Sequence, residues 1–285
     1  MSRNDDHFDA DWLSLREPID AAARSEDLVH RLDEWLAGHT TPQLLDLGAG
    51  HGSNLRYLAP RLQGRQQWLL IDHDRDLLDH ADRQAPAGSS DGQPISIQCR
   101  NADLNELASL NLPEPDAVTA SALLDLCSHD WIRTLVGRMA CWRCVGLFSL
   151  NVDGQRHFID IKGNRISNPD DEQMASWFND HQRQTKGLGQ ALGPEAVNVL
   201  TAELEQAGFK IIQDSTPWHL PAGHPDTAVL ARALVDGWRD AALDMAPDQT
   251  RLIEQWTREW QDWLAWGQAG LVVGHIDLLA LPDPP

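Results

Sequence analysis

A strand, a glycine-rich turn and the start of a helix follow one another directly in the first fifth of the chain. The apolar run over residues 43–47 predicts a short buried strand. It leads into Gly48-Ala49-Gly50-His51-Gly52, and residues 53–58 are compatible with a helix. Glycine lets a ligand approach without a Cβ in the way, and a helix N-terminus offers unpaired N–H groups to polar ligand atoms. The pattern predicts an α/β fold with a ligand cradle at this turn.

The same turn argues against a dinucleotide ligand. The dinucleotide fingerprint G-x-G-x-x-G needs its third glycine at position 53, where this chain has Ser53. Asp46, at the end of the strand, would repel a pyrophosphate and suits a ligand that bears an ammonium group or hydroxyl donors. A dinucleotide-dependent oxidoreductase is therefore the weakest of the functions that the motif leaves open.

The segment Asp46-Leu47-Gly48-Ala49-Gly50-His51-Gly52 resembles the first motif of the class I S-adenosylmethionine-dependent methyltransferases. The cofactor of that family has no phosphate and carries an ammonium and a sulfonium, so an acidic residue beside the turn makes chemical sense. A second apolar stretch ends in Asp72, about 20 residues beyond the glycine turn, where Rossmann-like domains bind a ribose diol. This spacing extends the resemblance beyond one motif.

Two later segments resemble the same family in the expected order. Residues 95–100 alternate like a third strand and are followed by Asp103, where the family usually has an acidic residue that accepts from the adenine amino group. Residues 115–124 resemble the fourth strand, which leads out over the cofactor. The resemblance implies S-adenosyl-L-methionine as the cofactor. It assigns ten residues to the cofactor site: Asp46, Gly48, Ala49, Gly50, Asn54, Asp72, His73, Asp103, Leu104 and Ser121.

The resemblance also implies the architecture. We expect residues 1–285 to form a single methyltransferase domain with a Rossmann-like, seven-stranded sheet whose last strand is antiparallel. Its parts are N-terminal helices over residues 1–40 that cover the cofactor, a cofactor-binding core over 41–150, a sixth strand over 209–215, a helical insertion over 217–269 and a closing strand over 271–280. The sequence predicts helices around 226–245 and 248–268 within the insertion.

Two stretches outside these motifs carry expectations of their own. Residues 151–155 look like a turn after the fifth strand, and the polar residues 168–192 predict a loop above the cofactor pocket. Trp256, Trp260 and Trp263 fall on one face of a predicted helix. We expect this stripe to dock the insertion on the sheet domain, and an aromatic wall of the substrate pocket is the alternative.

Composition limits the location and the partners. The chain has no apolar stretch long enough to span a membrane, and its polar N-terminus lacks a signal region, so we expect a cytoplasmic protein. The 23 basic and 43 acidic residues give a net charge of −20, which disfavours binding to nucleic acids. Cys141 and Cys144 form a C-x-x-C pair without a second ligand pair nearby, so we expect packing and no metal site.

The acceptor side is less defined. Displacement at a sulfonium mainly needs a well-placed nucleophile, and a base is needed only if the nucleophile arrives protonated. Methyltransferases that act on base amino groups carry Asn- or Asp-Pro-Pro-aromatic where this chain has Ser121-Ala122-Leu123-Leu124. This difference favours a small-molecule acceptor. Our candidates for a base or a substrate contact are Asp125, His129, His181 and Lys186, and weaker ones are Trp218, His219 and His275.

Two alternatives to that function stay open. One is a methyltransferase that acts on a protein or a nucleic acid, and the other is a non-catalytic protein that binds S-adenosylmethionine or S-adenosylhomocysteine. The sequence does not separate a binder from an enzyme, and it does not indicate an oligomeric state.

Overall fold

One mixed sheet runs through the computed structural model, which describes residues 10–283. The strands in chain order are β1 (Gln43–Leu47), β2 (Gln66–Asp72), β3 (Ile95–Asn101), β4 (Ala117–Ser121), β5 (Val145–Ile159), β6 (Arg165–Ile166), β7 (Thr185–Lys186), β8 (Gly189–Gln190), β9 (Lys210–Ser215), β10 (Trp218–Leu220) and β11 (Gly270–Leu281). All but β7 and β8 belong to this sheet, and those two form a separate hairpin.

Helices pack against the faces of the sheet and against the edge where its parallel strands end. They are α1 (Ala10–Ala23), α2 (Glu26–Leu36), α3 (Ser53–Leu58), α4 (Arg75–Arg83), α5 (His129–Trp142), α6 (Asp171–Gln182), α7 (Ala196–Gln206), α8 (Pro225–Met245) and α9 (Thr250–Ala265). None of the helices in the described part of the chain is long and apolar enough to cross a membrane.

The main path of the sheet has the order β3-β2-β1-β4-β5-β11-β9. Neighbouring strands from β3 to β5 are parallel, and β11 is antiparallel to both β5 and β9. The expected Rossmann-like arrangement with an antiparallel last strand is therefore confirmed, and the short strands β6 and β10 bring the sheet from the expected seven strands to nine. Because parallel strands end at one edge, the carboxyl ends of β1, β2, β3 and β4 meet there, which is where ligands bind in open α/β sheets.

The central strands are apolar on both faces, as parallel strands between helix layers must be. Leu44 and Leu58 belong to a buried cluster on one side of the sheet, and Leu45 and Leu135 belong to a cluster on the other side. This packing fixes the register of β1 and so fixes where the glycine turn leaves the sheet.

The turn predicted over residues 151–155 is wrong, because β5 continues through it to Ile159. Leu150 adopts a left-handed φ of 57°, and β11 pairs with β5 on both sides of residues 153–155, with a register shift between Val273 and His275. A Cβ at Gly274 would lie 2.1 Å from the Asp153 carboxylate, so a larger residue at this position would displace that side chain. The Asp-Gly signal at 153–154 therefore marks an irregularity inside a strand.

The extension of β5 and β11, together with β6, β10, α6, α8 and α9, forms a second layer that we call the cap. Its buried centre contains Phe158, Trp238, Trp256 and Trp260. The aromatic rings of Phe158 and Trp260 stack with their centroids 3.6 Å apart. Trp263, the third residue of the predicted stripe, is 41% exposed.

The loop predicted over residues 168–192 is also wrong in part, because α6 and the β7–β8 hairpin lie there. Met174 is buried, and Trp177 and Phe178 pack against the cap at helical spacing. These three apolar residues are few among many polar ones, which explains why composition alone indicated a loop. Cys144 is buried and Cys141 is exposed, and the described residues contain no cluster of potential metal ligands.

Candidate active site

The glycine turn leaves β1 with its backbone in conformations that suit glycine. Gly50 and Gly52 have φ values of 50° and 87°. A Cβ at Gly52 would lie 2.7 Å from Ala81 on α4, so this glycine lets the turn pack closely on that helix. A Cβ at Gly50 would meet only Leu13 of α1, at 4.0 Å. The turn is thus closely packed on one side and has space beneath α1 on the other.

Asp46 is buried at the base of this turn. Its Oδ1 accepts hydrogen bonds from Asn54 Nδ2 at 2.5 Å and from Thr119 Oγ1 at 2.7 Å. Its Oδ2 is buried and has no hydrogen-bond partner among the described residues. Burial raises the pKa of Asp46 to about 6, although both hydrogen bonds and the charge of Arg24 act to lower it. A donor from a ligand would satisfy the remaining oxygen.

Arg24, which the sequence analysis did not select, lies next to Asp46. The connection between α1 and α2 brings its guanidinium to the carboxyl edge of the sheet, where Nη1 donates to Asn54 Oδ1 at 2.7 Å and Nη2 donates to Ser121 Oγ at 2.5 Å. Its Nε is buried and lacks a partner in the described chain. Burial lowers the pKa of Arg24, and nearby carboxylates oppose this shift. No local motif marks Arg24, since its neighbours are distant in sequence.

Asp277 on β11 fixes the position of Arg24. This buried carboxylate accepts from the backbone N–H groups of Ser25 and Leu150, at 3.1 and 2.7 Å, and from Thr216 Oγ1 at 3.0 Å. It thereby ties the α1–α2 connection to the ends of β5 and β11. A lone aspartate inside an apolar strand was the signal in the sequence that could have identified it.

Asp72 connects the end of β2 to the glycine turn. Its Oδ2 accepts from the Gly50 backbone N–H at 2.8 Å, and its Oδ1 accepts from the Asp74 N–H at 2.9 Å. His73 Nδ1 lies 3.3 Å from Oδ1, and the His73 side chain is half exposed. Both carboxylate oxygens keep a further lone pair, so Asp72 can accept additional hydroxyl donors.

Asp103 and Leu104 lie at the end of β3. Asp103 is exposed, and its Oδ1 accepts from the Asn105 backbone N–H at 2.8 Å. Leu104 is buried, and its carbonyl accepts from Trp131 Nε1 at 2.8 Å. Asn105 Nδ2 also donates to the carbonyl of Gly187 at 2.6 Å, so the loop of the β7–β8 hairpin lies beside Asp103.

A match to a protein-family model identifies the domain that contains this site. Residues 44–142 match the family model described as a methyltransferase domain. This segment begins in β1 and includes the glycine turn, Asp72, Asp103 and Ser121. This segment of the chain is a methyltransferase domain. Comparison with curated proteins gives no match.

Solved structures with a similar fold share little sequence with this methyltransferase. The YcgJ protein from Bacillus subtilis is 13% identical, with a TM-score of 0.49 and coverage of 92% of this chain and 100% of its own. The cyclopropane synthase MmaA2 from Mycobacterium tuberculosis is 12% identical, with a TM-score of 0.47 and coverage of 95% and 94%. Both TM-scores are low, so the assignment rests on the family match and on the site.

The cofactor of this methyltransferase is S-adenosylmethionine. Its amino-acid end carries a carboxylate and an ammonium, and the site offers one buried atom of matching chemistry for each. Arg24 Nε and Asp46 Oδ2 are both buried without a hydrogen-bond partner among the described residues, and both side chains bond to Asn54. The residues present therefore fit this cofactor.

The four candidates for the acceptor side are not gathered in one place. Asp125 is half-buried in a short turn of 3₁₀-helix that follows β4. His129 Nε2 lies 2.7 Å from Glu203 on α7, and His181 Nε2 lies 3.7 Å from Asp244 on α8. The backbone of Lys186 lies in β7, and its side chain is outside the described residues.

The weaker candidates belong to the cap. Trp218 and His275 are buried with their rings 4.8 Å apart, and His219 is exposed. Burial lowers the pKa of His275 to about 3, with a smaller contribution from the charge of Arg16. His275 is therefore neutral at physiological pH.

Backbone strain marks the edge of the sheet next to the site. Ala122 follows β4 directly and has a φ of 51°, and Leu150, at the corresponding level of β5, has a φ of 57°. The Ala122 N–H donates to the carbonyl of Ser149 at 3.0 Å, which holds the two strand ends together. Left-handed non-glycine residues persist only where their surroundings hold them, and they concentrate at functional sites.

Proposed function

We propose that this methyltransferase transfers a methyl group to a small-molecule acceptor held at the carboxyl edge of the sheet. The observation that carries this proposal is that the chain itself covers both ends of that edge. Arg24 binds Asn54 and Ser121 from the α1 side, and the β7–β8 hairpin binds Asn105 from the other side. An enclosed site of this kind suits a ligand small enough to enter between the covers.

We assign the cofactor contacts by chemistry. Arg24 would bind the carboxylate of the amino-acid end and Asp46 its ammonium group, since each offers a buried atom with unused hydrogen-bonding capacity. Asp72 would accept from the ribose hydroxyls. Asp103 would accept from the adenine amino group. The remaining contacts of the proposed site are the turn residues Gly48, Ala49 and Gly50 and the side chains of Asn54, His73, Leu104 and Ser121.

When bound, the cofactor supplies a methyl group attached to a positively charged sulfur. The protein then has to place the acceptor atom in line with that methyl group and keep water out, and positioning alone provides much of the rate. For an acceptor that arrives protonated, we assign proton removal to Asp125, because it lies four residues beyond Ser121 on the turn that follows β4. His129 and His181 are each close to a carboxylate on another helix and are weaker candidates for this role.

Charge supports a small acceptor over a macromolecular one. The net charge of −20 repels polyanions, and this repulsion disfavours nucleic-acid binding most strongly at low ionic strength. The second candidate function, methylation of a protein, needs an open groove, and the two covers described above oppose it.

A methyl-labelling experiment tests the proposal. The purified enzyme is incubated with radiolabelled S-adenosylmethionine and a cell extract, and the products are separated by ultrafiltration into small molecules and macromolecules. We expect label in the small-molecule fraction with the wild type and none with Asp72→Ala. Label confined to proteins or nucleic acids would overturn the small-molecule proposal. Cofactor binding without transfer to either fraction would favour the non-catalytic alternative.

A further inference from the structure

A second cleft lies inside the cap, apart from the cofactor site. It opens to solvent and lies between the β5 extension and the helices α6, α8 and α9. Its walls are aromatic and apolar, with Phe158, Met174, Trp238 and Trp256 as the main contributors. Arg156, Arg165 and Asp171 are its charged residues.

Arg156 has hydrogen-bonding capacity that the protein does not use. Its Nη2 donates to Asn179 Oδ1 and to the carbonyl of Ala175, and its guanidinium lies over the rings of Phe178 at 4.4 Å and Trp238 at 5.1 Å. Its Nε is buried and has no partner among the residues described. A guanidinium held flat by two aromatic rings, with a free buried donor, is prepared for an anion.

The acidic residue of the cleft does not neutralise this charge. Asp171 Oδ1 accepts from the indole Nε1 atoms of Trp256 and Trp260 at 2.7 and 2.9 Å, and its Oδ2 accepts from the Asn168 backbone N–H at 2.7 Å. No ion pair joins Arg156 to a carboxylate in the described part of the chain. Arg165, which is exposed, adds a second positive charge at the margin of the cleft.

We propose that the cap cleft is a second ligand site, which binds a small aromatic carboxylate. Its carboxylate would bind the guanidinium of Arg156, and its ring would pack against Trp238 and Trp256. None of the residues that line the cleft belongs to the proposed cofactor site, so the two sites are distinct.

A ligand-observed NMR titration with phenylacetate tests this proposal, with the neutral phenylacetamide as its matched probe. We expect saturable binding of phenylacetate and binding of phenylacetamide that is weaker by about tenfold or more, because a charge-assisted hydrogen bond is lost. Arg156→Gln should weaken phenylacetate binding by about the same factor and leave phenylacetamide unchanged. Arg156→Lys should retain part of the affinity, since it keeps the charge but loses the planar fork.

Two control variants separate this site from other cationic groups. Arg165→Gln removes a charge at the margin of the cleft, and Arg24→Gln removes the buried guanidinium of the cofactor site. We expect either one to change phenylacetate affinity by less than about threefold. Equal affinity for phenylacetate and phenylacetamide in the wild type would overturn the proposal even if Arg156→Gln fails to fold. So would loss of binding in Arg24→Gln, which would place the carboxylate in the cofactor site.

Discussion

At the scale of residues, the site depends on two opposite charges buried side by side. Arg24 and Asp46 bond to the same amide of Asn54, and each keeps one buried atom without a partner in the described chain. Burying charges is costly unless they are paired and hydrogen-bonded. A zwitterionic ligand satisfies both atoms at once, so we expect the strongest effects on cofactor binding at these two positions.

Replacing Arg24 with glutamine should weaken S-adenosylhomocysteine binding by about ten- to hundredfold, because a buried charge-assisted hydrogen bond is lost. Isothermal titration calorimetry measures this change. Arg61→Gln is the matched control, because Arg61 is exposed and its guanidinium lies 3.9 Å from the centroid of the Tyr57 ring, while that of Arg24 lies 4.6 Å from the same centroid. Equal affinities of the two variants would contradict the role that we assign to Arg24.

The raised pKa of Asp46 predicts a pH dependence of cofactor binding. Below its pKa of about 6 the carboxyl is protonated and neutral, and above it the charged form attracts an ammonium group. The affinity for S-adenosylhomocysteine should therefore rise as the pH increases from 5 to 7 and level off above that range. Asp46→Asn should bind more weakly and lack this rise. A wild-type affinity that is flat across these pH values would be inconsistent with our assignment.

At the scale of elements, the cap is a structural layer added to the methyltransferase core. β5 and β11 extend beyond the sheet as one pair and carry α6, α8 and α9 on one face. The stack of Phe158 on Trp260 and the two indole hydrogen bonds to Asp171 join these helices to the extension. The cap therefore has a core of its own, built mainly from tryptophan.

Trp260→Leu should lower the free energy of unfolding by about 2–4 kcal/mol, because it removes a buried stacked ring and leaves a cavity. Trp263→Leu, three residues along the same helix, should change it by less than about 0.5 kcal/mol, because that side chain is 41% exposed. Urea denaturation followed by circular dichroism measures both. Similar losses of unfolding free energy in the two variants would show that the buried, stacked ring of Trp260 contributes no more to stability than the exposed ring of Trp263.

The sequence was informative where local chemistry determines structure. The glycine turn and the acidic ends of β2 and β3 carried the resemblance that predicted the Rossmann-like sheet, because each motif lies within one strand–turn–helix unit. Arg24 and Asp277 were missed because their partners lie far along the chain. The extension of β5 was missed because Asp153-Gly154 is a turn signal, and pairing with β11 on both sides of it keeps the strand continuous. The polar α6 was missed for a similar reason, since its few apolar residues matter only once the cap is present.

At the scale of the whole molecule, the excess of acidic residues determines which macromolecules can approach. Polyanions are repelled at long range. The carboxylates Asp46, Asp72 and Asp103 also lie at the carboxyl edge of the sheet, together with the guanidinium of Arg24. We expect no binding of duplex DNA or transfer RNA in fluorescence anisotropy at low salt, where attraction or repulsion between charges is strongest. Binding that weakens steeply with added salt would reveal a basic surface and would favour a nucleic-acid substrate.

The central claim is that the turn between β1 and α3, together with Asp72, forms the binding site of a methyltransferase cofactor. The most direct test is isothermal titration of the purified protein with S-adenosylmethionine and S-adenosylhomocysteine, repeated with Asp72→Ala. We predict saturable binding of both compounds at one site in the wild type and a loss of at least about tenfold in affinity in the variant. A folded wild-type protein that binds neither compound, or a variant that binds both as tightly as the wild type, would contradict the account.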